Sequence, residues 1–106
     1  MVKVTYDRRS HAVFLRGHAD SAEKGRDLVC AAVSILAYTL GAFVLGMKEA
    51  QAAECVCVDL LSGDTAISCT PCKDEEDDVT TGFDAICRGF ALLAENYPRS
   101  VTYETV

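Results

Sequence analysis

At 106 residues the chain has room for one domain. Sixteen acidic against ten basic side chains leave a net charge of −6, which excludes a role resting on non-specific attraction to nucleic-acid phosphates and suits a basic protein partner better. Half of the residues are hydrophobic, which excludes disorder on composition, and the surface-to-volume ratio at this length makes self-association a reasonable expectation.

Residues 2–6 alternate, with Val2, Val4 and Tyr6 on one face and Lys3 and Thr5 on the other, so the chain opens on a strand. MVKVTYDRR has neither an apolar run nor a small-residue cleavage site. No secretory leader is therefore expected, and a cytoplasmic protein with reduced thiols follows. Asp7 to Ser10 is polar and turn-like, and His11 to Arg16 reads as the second strand of a hairpin. Gly17 to Arg26 has loop composition. Asp27 is then a good N-cap for a long helix that runs to about Lys48.

That helix holds twenty uncharged residues, Leu28 to Met47, enough to span a bilayer. Four Ala, two Gly, a Ser, a Thr and a Tyr dilute its hydrophobicity, and it lies between segments that need a sheet. No membrane is expected; the helix is to be buried by its own sheet and by a twin subunit. Ala37, Gly41, Ala42 and Gly46 give two small-xxx-small spacings that allow close approach, either to the twin or to the sheet.

Glu54 to Leu60 alternates as a third strand, Ser62-Gly63-Asp64 is a turn, and Ala66 to Thr70 returns as the fourth. The acidic run Lys73 to Asp78 belongs to a solvated loop leading into a helix, whose N-terminus its charge favours. Phe83, Ile86, Cys87, Phe90, Leu93, Ala94 and Tyr97 recur at helical spacing until Pro98, and Val101 to Val106 is the last strand. The order ββαββαβ predicts an α+β two-layer sandwich, a mainly antiparallel sheet with both helices on one face.

The stretch richest in chemistry is Gly17 to Ser34. It sets His18 at the end of a strand and Cys30 in the first turn of a helix, twelve residues apart. With Asp27 as cap, Cys30 is the third helical residue, where the partial positive charge of the helix N-terminus favours a thiolate. His18 serves as base or imidazolium partner, an activated nucleophile pair. Ser34 stands one turn beyond Cys30, within reach of the thiolate or a substrate. Asp20 and Asp27 are both candidates to orient His18, and spacing does not choose between them. Backbone N–H groups at the helix start, such as that of Cys30, would hold an oxyanion.

Four of the six cysteines, Cys55, Cys57, Cys69 and Cys72, fall on one hairpin. Together they could form a Cys₄ zinc site, though Cys-x-Cys is unusual for a zinc knuckle. Cys69-Thr70-Pro71-Cys72 echoes a thioredoxin-type pair, but an acidic run follows it where that motif opens a helix. The plain reading, small buried hydrophobes, suits Cys55, Cys57 and Cys87, and no metal is expected.

GHADSAEKGRDLVCAAVS resembles the signature of the bacterial ribosomal-processing cysteine proteases, the Prp family. The matching residues are Gly17, His18 and Ala19, then Gly25 and Asp27, then Cys30, Ala31, Ala32 and Ser34. Length and element order agree with that family over nearly the whole chain. The resemblance implies an endopeptidase that removes the N-terminal extension of ribosomal protein L27, with Cys30 as nucleophile and His18 as base and no cofactor. It also implies a homodimer, and a mobile loop from Ala19 to Arg26 with Gly17 and Gly25 as its hinges. The other five cysteines are not part of the matched motif. The alternatives are a thiol redox protein using Cys69 and Cys72, and a non-catalytic ribosome-assembly binding module.

Overall fold

The computed structural model describes residues 1–18 and 26–106, with the side chains of Arg26 and Asp27 outside that description. Seven elements follow in the expected order: β1 (Val2–Asp7), β2 (Ala12–Arg16), α1 (Arg26–Glu49), β3 (Ala53–Leu61), β4 (Asp64–Pro71), α2 (Glu76–Asn96) and β5 (Val101–Thr105). The strands form one sheet in the order β3-β4-β2-β1-β5. Three pairings are antiparallel, and β5 joins β1 in parallel, with Val2 opposite Val101.

Both helices cover the same face. The inward residues of the strands, among them Val4, Tyr6, Val13, Ile67 and Val101, meet Val29, Val33, Leu40 and Val44 of α1 and Val79, Phe83, Cys87 and Phe90 of α2. This is the α+β sandwich that the period-2 and period-3.6 patterns predict. The acidic residues Glu76, Asp77 and Asp78 make the first turn of α2, where their charge opposes the helix dipole.

The N-cap expected at Asp27 is corrected. The helix has already begun at Arg26, so Asp27 is its second described residue and Cys30 its fifth. The helical pattern therefore takes the Cys30 N–H to the carbonyl of Arg26.

α1 is long and apolar enough to cross a membrane by length and composition, with a mean hydropathy of 2.3 over its most apolar 18 residues. Here one face of it lies on the sheet. The other stays open, with Leu28 74%, Ile35 60%, Tyr38 58% and Leu45 47% exposed. The two small-residue pairs divide between these faces. Ala37 and Gly41 point inward, and a Cβ at Gly41 would stand 3.0 Å from Val58, whereas Ala42 and Gly46 point outward.

Candidate active site

β2 ends at Arg16, and the chain turns through Gly17 at φ +94. Any side chain there would meet the backbone carbonyl of Met1, so the turn needs glycine. The Gly17 N–H donates to the carbonyl of Gly63 at 3.0 Å, which ties this turn to the turn between β3 and β4. His18 follows. Its carbonyl accepts a hydrogen bond from the Met1 amino nitrogen at 2.6 Å, and its ring lies against Gly63.

Opposite, α1 presents Cys30, Val33, Ser34, Ala37 and Tyr38 at helical spacing. Between helix, strand end and hairpin tip lies a cleft of about 300 Å³ that His18 and Cys30 both line. Val2 and Leu15 of the sheet and Leu60 and Leu61 of the hairpin give it apolar walls, and Ser34, Ser62, Asp64 and Thr65 add polar ones. At the rim, Arg16 and Asp64 pair at 2.7 Å, an exposed ion pair that closes the last register position of β2 and β4. Burial is graded across the site. Cys30 is half-buried and packs on the core, while Ser34 and His18 are exposed.

The structure thus brings His18, Cys30 and Ser34 to one cleft, with Gly17 at its edge. Asp20, Gly25 and the expected mobile segment from Ala19 lie outside the described residues, as does the side chain of Asp27. The oxyanion donor expected at the Cys30 N–H is corrected, because the helical ladder already engages that group.

Sequence reasoning found this hairpin but missed its part in the site. Ser62-Gly63-Asp64 carried only a turn signal, and nothing in its composition points to His18. The tip reaches the site because β4 pairs with β2 in a register that sets Asp64 opposite Arg16.

The remaining cysteines do not assemble a second centre. Cys69 and Cys72 both line a cleft at the other end of the sheet. Residues 69–71 are strand, so three steps of about 3.3 Å separate the two Cα atoms by roughly 10 Å, beyond disulfide reach. Burial pushes the Cys69 thiol up, and burial with Glu54 and Glu75 nearby does the same to Cys72. A nucleophilic redox thiol needs the opposite. Cys57 faces outward opposite Ser68, while Cys69 faces the core. Among the described residues no three His, Cys, Asp or Glu side chains converge as a metal site requires. Cys87, on the inner face of α2, is buried in the core, and burial pushes its thiol up to about 12.

The fold is that of known structures. A crystal structure of SMU.848 from Streptococcus mutans matches with a TM-score of 0.69 at 30% identity, over 99% of this chain and 91% of that one. Two structures from S. aureus match with TM-scores of 0.69 and 0.70 at 19% and 17% identity, each over 99% of this chain and 97% of that one. They are described as an essential ribosomal processing protease Prp, in one case with a covalently linked product peptide and in the other with a substrate peptide. No curated protein matches this chain. The family described as cysteine protease Prp matches residues 1–102, nearly the whole chain and both sides of the His18–Cys30 cleft, and the chain belongs to that family of cysteine proteases.

Proposed function

We propose that the chain is a cytoplasmic endopeptidase that removes the N-terminal extension of bacterial ribosomal protein L27, with Cys30 as nucleophile and His18 as general base. One observation carries this reading: the strand end bearing His18 and the helix bearing Cys30 line a single cleft with apolar walls. The substrate class is supported by the S. aureus neighbours, described as a ribosomal processing protease with peptides bound. An acidic chain suits an otherwise basic substrate, and the apolar walls suit apolar side chains before the scissile bond.

In this reading His18 takes the Cys30 proton as sulfur attacks the peptide carbonyl carbon. The imidazolium then protonates the leaving amine as the C–N bond breaks, which leaves a thioester on Cys30. Water, losing its proton to His18, hydrolyses the thioester and restores the thiol. N–H groups of the first turn of α1, ahead of Cys30, serve as the oxyanion donors in this reading, at the positive end of the helix. Ser34 offers a hydroxyl one turn beyond the nucleophile, and Asp20 or Asp27 would orient the imidazole. The Cys–His steps need no cofactor or metal.

The open face of α1 supports a homodimer as part of the same proposal. Leu28, Ala31, Ile35, Tyr38, Ala42 and Leu45 recur at alternating steps of three and four, a seam suited to a second copy. Light scattering should give about twice 11.4 kDa, and Ile35→Glu should return a monomer.

The reading is tested by incubating the enzyme with the L27 precursor and weighing the products. Wild type should release the extension, and Cys30→Ala should be slower by about a thousandfold or more with an unchanged circular dichroism spectrum. Cleavage by Cys30→Ala at the wild-type rate overturns the nucleophile. Cleavage of an apolar test peptide but not of the precursor overturns the substrate.

A further inference from the structure

The turn between β3 and β4 does more than reverse the chain. Gly63 sits there at φ +74, in the left-handed region that costs glycine nothing. The His18 ring rests on its bare Cα. A Cβ at Gly63 would stand 2.7 Å from Cε1 and 3.2 Å from Cδ2 of that ring, and nearer still to Nε2. The backbone around the ring is held as well. The Gly63 carbonyl accepts the Gly17 N–H at 3.0 Å, the His18 carbonyl accepts from Met1 at 2.6 Å, and Arg16 pairs with Asp64 at 2.7 Å. Arg16, Gly17 and the His18 backbone are therefore tied to Asp64, Gly63 and Met1, and the imidazole is the movable part between them.

We propose that Gly63 is a positioning residue: its bare Cα is the seat on which the His18 imidazole is set at the cleft it shares with Cys30. The proposal rests on the reading of His18 as the base. Any side chain at position 63 takes the space of the ring, and since His18 is exposed on its other side, the ring gives way before the sheet does. A displacement of about 1 Å of a catalytic group costs on the order of a hundredfold in rate. A small turn residue on a different hairpin thus governs a histidine 45 positions away in the chain.

The test is Gly63→Ala and Gly63→Asn, read by precursor cleavage and by NMR of the histidine rings. The chain has two histidines, so His18→Ala assigns the signals. Both variants should lower kcat about a hundredfold with KM within about threefold, and both should shift the His18 ring signals and their pH titration. Asparagine tolerates the left-handed conformation that alanine resists, so a loss shared by both variants belongs to the collision and not to the turn. Wild-type kcat in both, or unmoved His18 signals, overturns the proposal. So does recovery of activity in Gly63→Asn alone. If His18→Ala itself cleaves normally, the base assignment fails, while shifted ring signals in Gly63→Ala still report the seat.

Stability supplies the remaining check, valid even where Gly63→Ala folds poorly. Its loss in Tm should be smaller in a His18→Ala background, where there is no ring to strike. An equal loss in both backgrounds makes Gly63 a turn residue only, and the proposal falls.

Discussion

His11 and His18 stand at opposite ends of the same strand, β2, and meet different fates. His11 is 4% exposed, held at φ +51, with Nε2 2.7 Å from Thr80 Oγ1 and its ring edge-on to Phe83 at 5.9 Å. It is a structural group, satisfied from above by α2. His18 is exposed beside an open cleft and seated on a glycine. The thiols repeat the contrast. Cys30 lines the His18 cleft, while Cys69 and Cys72, at the His11 end, are pushed up by burial. Identical residue types are made inert or available by what packs over them.

The strongest way to break this comparison is to remove each histidine. His18→Ala should lower kcat by about a thousandfold with little change in Tm. His11→Ala should do the reverse. Leaving Thr80 unpaired over a cavity costs about 2 kcal/mol, roughly 10 °C in Tm, while the folded fraction keeps its kcat within about twofold. Cleavage assays and thermal melts on both variants decide it, and a kcat loss in His11→Ala as large as that in His18→Ala would erase the distinction.

Alkylation sharpens it. Iodoacetamide at pH 7 with mass mapping should label Cys30 well before Cys69, Cys72 and Cys87. With its thiol pushed up to about 12, Cys87 carries roughly one thiolate in a hundred thousand at that pH. Labelling of Cys69 or Cys72 ahead of Cys30 would move the reactive end of the sheet to the wrong side.

The smallest effect concerns the ion pair that closes the His11 end. Arg8 binds Asp84 at 3.0 Å, and the Tyr6 hydroxyl donates to the same carboxylate at 2.9 Å. The Arg8 hydrogen bond, aided by that of Tyr6, holds the Asp84 carboxyl below its usual range against its partial burial. A folded-state value below the unfolded one stabilises above about pH 4, and that stability is lost as pH falls through the folded value. Asp84→Asn should therefore lose about 0.5 kcal/mol at pH 7, since the pair is exposed and screened, and the deficit should shrink as the pH is lowered through the acid range. Urea midpoints over a descending pH series measure it, and a deficit that grows on acidification would reverse the sign.

Much of this architecture is written locally. Alternation in residues 2–6 and 54–60 dictates strands, since period-2 apolar residues bury only on a sheet. The i, i+3, i+4 recurrence from Phe83 to Tyr97 dictates an amphipathic helix, and Pro98 stops it for lack of an N–H and for steric reasons. The Gly-His-Ala and Cys-Ala-Ala motif, with its spacing, marked the two residues that the cleft brings together. Other features depended on partners far along the chain. The parallel pairing of β5 with β1 follows from α2 crossing the sheet, which no local pattern encodes. Whether His11 or His18 is covered depends on α2, whose Thr80 and Phe83 arrive about seventy residues later. The seat of His18 is a glycine whose sequence signal was only that of a turn. Local periodicity reports which face a residue buries, because that depends on neighbours within one helical turn or strand pair. What lies against that face is set by long-range packing, and there the tertiary structure alone decides.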